Sequence, residues 1–131
     1  MATNFLNPRE IHAPVGPYSH TALVASGAPI LFLAGQVGIR PDGSIPDGFA
    51  EQAEVTFENV RACLAVHGLG VDAVVKLGVF LLPGQDLQLL RAVREKHFGA
   101  HRPTSTTVYV PQLASPALLV EVEAIAVKRA E

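Results

Sequence analysis

The sequence predicts an α+β fold: a mixed sheet of six strands with two helices on one face. Three observations carry that expectation. Strand-like and helix-like runs follow one another as strand, strand, helix, strand, helix, strand, strand, with one more short strand in the N-terminal arm bringing the set to its full number. Two segments have amphipathic spacing at the helical period. The segments at 30–34, 74–82 and 118–127 are apolar on both strand faces, so water covers neither.

The last of these is the most informative stretch of the chain. At the strand period of two, Leu119, Glu121, Glu123, Ile125 and Val127 share one face, and Leu118, Val120, Val122, Ala124 and Ala126 share the other. A face that hides two carboxylates needs a partner or a task for them. It suggests a cleft or a subunit interface.

Taken in order, residues 1–18 are rich in Pro, Asn and Gly and read as an extended arm ending at Gly16-Pro17-Tyr18. Runs at 21–26 and 30–34, separated by Gly27-Ala28-Pro29, read as a hairpin. Arg40-Pro41-Asp42-Gly43-Ser44 has strong turn chemistry. The first helix is expected from Asp47 or Gly48 to Gly68. Phe49, Ala53, Phe57, Val60, Leu64 and His67 form its apolar stripe, and Glu51, Glu54, Glu58 and Arg61 its polar side. Gly68 suits the left-handed position beyond a helix end. A buried strand at 74–82 stops at Pro83-Gly84. Asp86 is a good N-cap for a second helix over 87–98, closed by Gly99. Strands at 106–110 and about 118–128 complete the chain.

Composition narrows the function classes. The 131 residues read as one domain, 1–131, large enough for a real core. With 49% hydrophobic and 17% charged residues, disorder is not expected. A net charge of -2 gives no electrostatic footprint for nucleic acid. No apolar run approaches the roughly 20 residues of a membrane span, and residues 1–8 lack the features of a secretory signal. One cysteine, Cys63, excludes an intramolecular disulfide and reads as a small buried hydrophobe. The expectation is a cytoplasmic protein with no membrane or nucleic-acid partner. Two helices cover only one side of such a sheet, so a second copy is expected on the other: a homo-oligomer.

Several segments, in order and spacing, carry a resemblance to a known family. They are Ala13-Pro14-Val15-Gly16-Pro17-Tyr18-Ser19, Leu33-Ala34-Gly35-Gln36-Val37, Asn59-Val60-Arg61-Ala62, Val75-Lys76-Leu77-Gly78-Val79-Phe80, Arg102-Pro103 and Val120-Glu121-Val122-Glu123-Ala124-Ile125-Ala126. Together they resemble the Rid (YjgF-type) family of imine and enamine deaminases, over about residues 8–129. The resemblance implies a chorismate-mutase-like fold and a homotrimer with sheets packed about the threefold axis. It implies clefts between subunits as active sites, and hydrolysis of 2-imino or enamine acids such as 2-aminoacrylate to keto acids and ammonia. It implies neither metal nor organic cofactor.

Two positions depart from that pattern. Where the deaminase branch has an arginine that holds the substrate carboxylate, this chain has Ser105, in Pro103-Thr104-Ser105-Thr106. Exchanging a charged fork for one neutral hydroxyl should cost a carboxylate ligand on the order of a few kcal/mol. Arg102, three residues earlier on the opposite strand parity, is a poor substitute. In the second helix, Arg91 and Arg94 stand where the family commonly has an asparagine and an aromatic residue. Either one relocates the anion clamp, or both run to water with their stems on the apolar face.

The candidate catalytic residues are Glu121 and Tyr18. Glu121 matches the acid that activates or orients the hydrolytic water, its competing role being to accept hydrogen bonds from a neighbouring backbone. Tyr18 walls the pocket and orients the ligand, or is an ordinary boundary tyrosine. The substrate-binding candidates are Gly35, Ser105 and Arg91. Gly35 brings its backbone amide close to a ligand, or marks a bulge. Glu123 reads as structural or as an interface ion-pair member. The five histidines lack metal-ligand spacing, so no metal is expected, and His20 shares the strand parity of Tyr18.

The leading functional expectation is hydrolysis of an imine, an enamine or a related labile C–N bond of a small metabolite. Because Ser105 replaces the arginine, the substrate is expected to differ from 2-aminoacrylate. The alternatives are a non-catalytic metabolite-binding trimer and a specialised pathway deaminase acting on a 2-aminomuconate-like product. A ribonuclease reading, described for some members, is disfavoured by the net charge.

Overall fold

Helix starts and stops follow the local chemistry of the sequence. The computed structural model describes residues 3–129. Helix α1 (Phe49–Ala65) begins after Gly48, which caps it without a side-chain hydrogen bond. Beyond its end Gly68 adopts φ +73°, the conformation that favours a residue without Cβ. In α2 (Leu87–Phe98) the Asp86 carboxylate accepts from the N–H groups of Gln88 and Leu89. Gly99, at φ +57°, closes that helix.

Among the described residues six strands form as expected, but they divide between two sheets instead of joining in one. Short strands β1 (Asn4–Leu6) and β2 (Thr21–Leu23) pair antiparallel with each other. The other sheet holds β3 (Ile30–Val37), β4 (Val74–Leu81), β5 (Thr104–Tyr109) and β6 (Val120–Val127) in the order β3-β6-β4-β5. A single 3₁₀ turn, Val71–Ala73, leads into β4. Only the β4–β5 pair is parallel, and α2 supplies its crossover.

The expected hairpin around Gly27-Ala28-Pro29 does not form. β2 is drawn instead to the arm: the Thr21 hydroxyl donates to the Leu6 carbonyl, and the His20 N–H donates to the Asn7 side chain. β3 then pairs with β6, the Lys128 N–H donating to the Pro29 carbonyl at the start of that ladder.

The core lies between the four-stranded sheet and the helices. Phe57, Val60 and Leu64 of α1 pack with Leu77, Leu81, Val120 and Val122, all fully buried. The rings of Phe57 and of Phe98 in α2 meet in a T-shaped contact, with centroids 5.9 Å apart. Gln52, invisible in the apolar pattern, is also buried. Its amide donates to the carbonyls of Pro46 and Ala117 and accepts from the Leu119 N–H, so it ties the loop before β6 to α1. His67, expected on the apolar stripe, is exposed because α1 ends before it.

Among the described residues no helix covers the far face of this sheet. On it Phe32 is 70% exposed and Val108 41%. Glu123 is exposed there too, and Glu121, Ile125 and Phe80 are half-buried.

Candidate functional site

The arm is fixed to the sheet at Ser19. Its backbone N–H donates to the Pro103 carbonyl at 3.1 Å, and its hydroxyl donates to the Arg102 carbonyl. These two bonds place Tyr18 beside the first residues of β5. The Tyr18 hydroxyl accepts from the Val15 N–H at 3.2 Å and keeps its own proton to donate. His20 stacks edge-on against the Tyr18 ring at 5.4 Å, with its Nε2 bonded to the His12 carbonyl.

Arm, α2 and β5 enclose a pocket of about 280 Å³. Val15, Leu87, Leu90, Phe57 and Val79 supply apolar wall. The polar groups on it are Tyr18, Arg91, Arg94, Ser105, Thr106 and Thr107. A mainly apolar concavity with a few convergent polar groups is the usual form of a small-molecule site.

Within it, Arg94 is only 7% exposed. Its Nη1 donates to Ser105 Oγ at 3.1 Å, and its Nη2 donates to the Pro17 carbonyl at 2.6 Å. Its Nε is buried without a hydrogen-bond partner. Desolvation pulls its pKa down to about 10, and the neighbouring cations Arg102 and Arg91 push the same way. It therefore remains charged at neutral pH. Arg91 is half-buried at the arm side, its guanidinium against Gly16, where an added Cβ would lie 3.0 Å from Nη2. Arg102 is engaged elsewhere, donating to the Gly99 carbonyl and to Glu95.

Glu121 and Gly35 meet in a different place. β3 carries an extra residue between Leu33 and Gln36, a bulge that includes Gly35. The Glu121 carboxylate lies across this glycine: a Cβ there would fall 1.8 Å from Oε2 and 2.6 Å from Cδ. Glu123 similarly covers Gly78, with a Cβ position 2.9 Å from its Cγ. Each carboxylate occupies the space that a side chain on the adjacent strand would fill.

Register places the two groups on opposite faces. Ser105 pairs beside Leu77, and Leu77 beside Ala124, both buried toward the helices. Glu121 pairs beside Val37 and Phe80 and shares the helix-free face with Glu123. β5 forms one edge of the sheet, whereas Gly35 belongs to the strand at the other edge. One copy of the chain thus brings Tyr18, Ser105, Arg91 and Arg94 together, and Glu121 with Gly35, but does not join the two sets.

The sequence leaves Arg91 and Arg94 both open as a relocated clamp and offers Arg91 as the binding candidate. The structure puts Arg94 at Ser105. The signal was present in the helical wheel, where Arg94 falls inside the stripe and Arg91 at its flank. The backbone of Gly16 and Pro17 as pocket wall, and Phe57 beneath it, had no signal of their own. Among the described residues no cluster of His, Cys, Asp or Glu could hold a metal ion.

The family model described as endoribonuclease L-PSP matches residues 10–128. A RutC family protein of Pyrococcus abyssi is 34% identical, over 98% of this chain and 99% of its own. TdcF of Escherichia coli K12, which carries the name reactive intermediate deaminase, is 33% identical over 88% of this chain and 90% of its own. Among solved structures, the Rid-family protein YyfB of Yersinia pestis superposes with a TM-score of 0.86 at 25% identity, covering 98% of this chain and 100% of that one. Escherichia coli TdcF with bound serine superposes with a TM-score of 0.72 at 30% identity, covering 96% and 99%.

Proposed function

The chain belongs to the endoribonuclease L-PSP (Rid) family, and on that premise we propose that it hydrolyses the C=N bond of a small imine in a cleft between two copies. One copy supplies the pocket of Tyr18, Ser105 and Arg94, and the next supplies Glu121 and Gly35. The observation that carries this reading is the segregation of the two sets to opposite faces of one sheet. A pocket without an acid and an acid without a pocket become one site when a second copy stacks its helix-free face beside the first. Exposed Phe32 and Val108 on that face favour such a contact. A homotrimer is the assembly expected of the family.

In this reaction water adds to the imine carbon, the C–N bond breaks, and the products are a carbonyl compound and ammonia. An enamine first takes a proton at carbon to become the imine. Glu121 accepts a proton from the attacking water and returns it to the departing nitrogen. The missing Cβ at Gly35 leaves the space in which the carboxylate lies, and a side chain there would displace it. Tyr18 orients the ligand through its remaining hydroxyl proton. The name of TdcF, and the serine bound to it, favour a small amine-derived metabolite over RNA. The net charge of -2 points the same way.

Ammonia release from an imine generated in place tests this reading. Wild-type protein should accelerate release over the spontaneous rate, and Glu121→Gln should abolish the acceleration. Full turnover by Glu121→Gln would refute the role of that acid.

A further inference from the structure

Ser105 leaves the strand position without the charged fork that the arginine-bearing members use, yet the pocket is not without charge. A guanidinium has five N–H donors in a plane. Arg94 uses one for Ser105 and one for the Pro17 carbonyl, and both acceptors are neutral. Among the described residues no carboxylate lies within ion-pair distance of Arg94 or of Arg91; the acid on the same helix, Glu95, is paired with Arg102. A buried cation with neutral partners only is a costly arrangement unless an anion completes it. Of the nearby charges, Arg91 and Arg102 act on Arg94 in the same sense as desolvation and Glu95, paired with Arg102, opposes them, which leaves Arg91 as a second cation without an acidic partner at the pocket.

From this geometry we infer that Arg94, carried by α2 and steered by Ser105 and the Pro17 carbonyl, is the carboxylate-anchoring residue of the pocket, so that the ligand is an acid. Ser105 is then a positioning residue: its Oγ holds one arm of the fork and turns the unused donors toward the cavity. Leu87, Leu90 and Val15 line the same cavity and suit an acid with a short apolar body. The inference rests on the proposed site, but binding and turnover can be separated.

The test is calorimetric titration of the full-length chain with 4-methyl-2-oxopentanoate and with its primary amide, which has the same outline without the charge. Wild-type protein should bind the acid about tenfold or more tightly than the amide. Arg94→Gln should remove that preference, and Arg94→Lys should restore part of it. Equal affinity for acid and amide in the wild-type protein, or binding of neither, would overturn the inference without recourse to any variant. An acid preference retained in folded Arg94→Gln would overturn it as well. Glu121→Gln should keep the acid preference while losing turnover; a wild-type protein that prefers the acid but releases no ammonia from the corresponding imino acid generated in place contradicts the hydrolase reading and leaves the anchor standing.

Discussion

Arg94 on α2 donates to Ser105 on β5 at 3.1 Å, so a cation from the helix stands over this position of the strand. The strand contributes a hydroxyl and the neighbouring helix the charge that it holds in place. Ser105→Ala should therefore weaken acid binding without destroying it. One lost neutral hydrogen bond is worth about 1 kcal/mol, roughly a fivefold rise in KM for an acid substrate. With kcat nearly unchanged, steady-state kinetics separate this from loss of the catalytic acid.

Gly35→Ala should be far more damaging to activity than Gly78→Ala. The new Cβ at 35 would coincide with the Glu121 carboxylate and force it off the bulge. At 78 it would press only on Glu123, which is exposed and free to swing. Turnover compared between the two variants checks this, with circular dichroism confirming that both are folded.

Acid stability should depend on Glu54. Its carboxyl is held below the ordinary value mainly by the hydrogen bond from Lys96, with His97 adding to it and partial desolvation opposing it. A carboxyl with a depressed folded-state pKa contributes stability that is complete above its unfolded value, near 4.5, and is lost as pH falls through the folded value. Glu54→Gln should lower the Tm at pH 7 and flatten its decline on acidification below about pH 4.5.

Gln52→Leu should destabilise the fold although leucine suits a buried position. It would strip two carbonyls and one N–H of their partners, at about 2–4 kcal/mol in total. Urea titration should show the loss as a lower midpoint with an unchanged slope.

Charge placed on the helix-free face should break the assembly. Phe32→Asp alters a residue that is 70% exposed in the single chain and is expected to be covered by the next copy. Sedimentation should show a smaller species at micromolar concentration, and activity should fall with it. An unchanged sedimentation coefficient would place the contact elsewhere.

Local chemistry explains why the helix ends were legible: Asp86, Gly68 and Gly99 act within one turn of where they sit. Glu121 and Glu123 could likewise be assigned to one face from spacing alone. Pairing was not legible. Gly27-Ala28-Pro29 has the composition of a hairpin turn, but the choice between β3 and the arm as partner for β2 depends on Asn7 and Leu6, far away in sequence. Tyr18 and Ser105 line one pocket. Their separation from Glu121 follows from the strand order, which no local pattern reports. Arg94 and Arg91 differ by less than one helical turn; the helical wheel separates stripe from flank, but the bond from Arg94 to Ser105 depends on how α2 packs on β5.

The most direct test of a cleft shared between copies is complementation. Glu121→Gln and Arg94→Gln, each inactive alone, would be unfolded together, refolded as a mixture and assayed for ammonia release from an imino acid generated in place. Random assembly should recover roughly a quarter of wild-type activity, because one site in four then joins an intact pocket to an intact acid. A mixture no more active than its separate components, with mixed oligomers verified by native mass spectrometry, would contradict a shared cleft and return the site to a single chain.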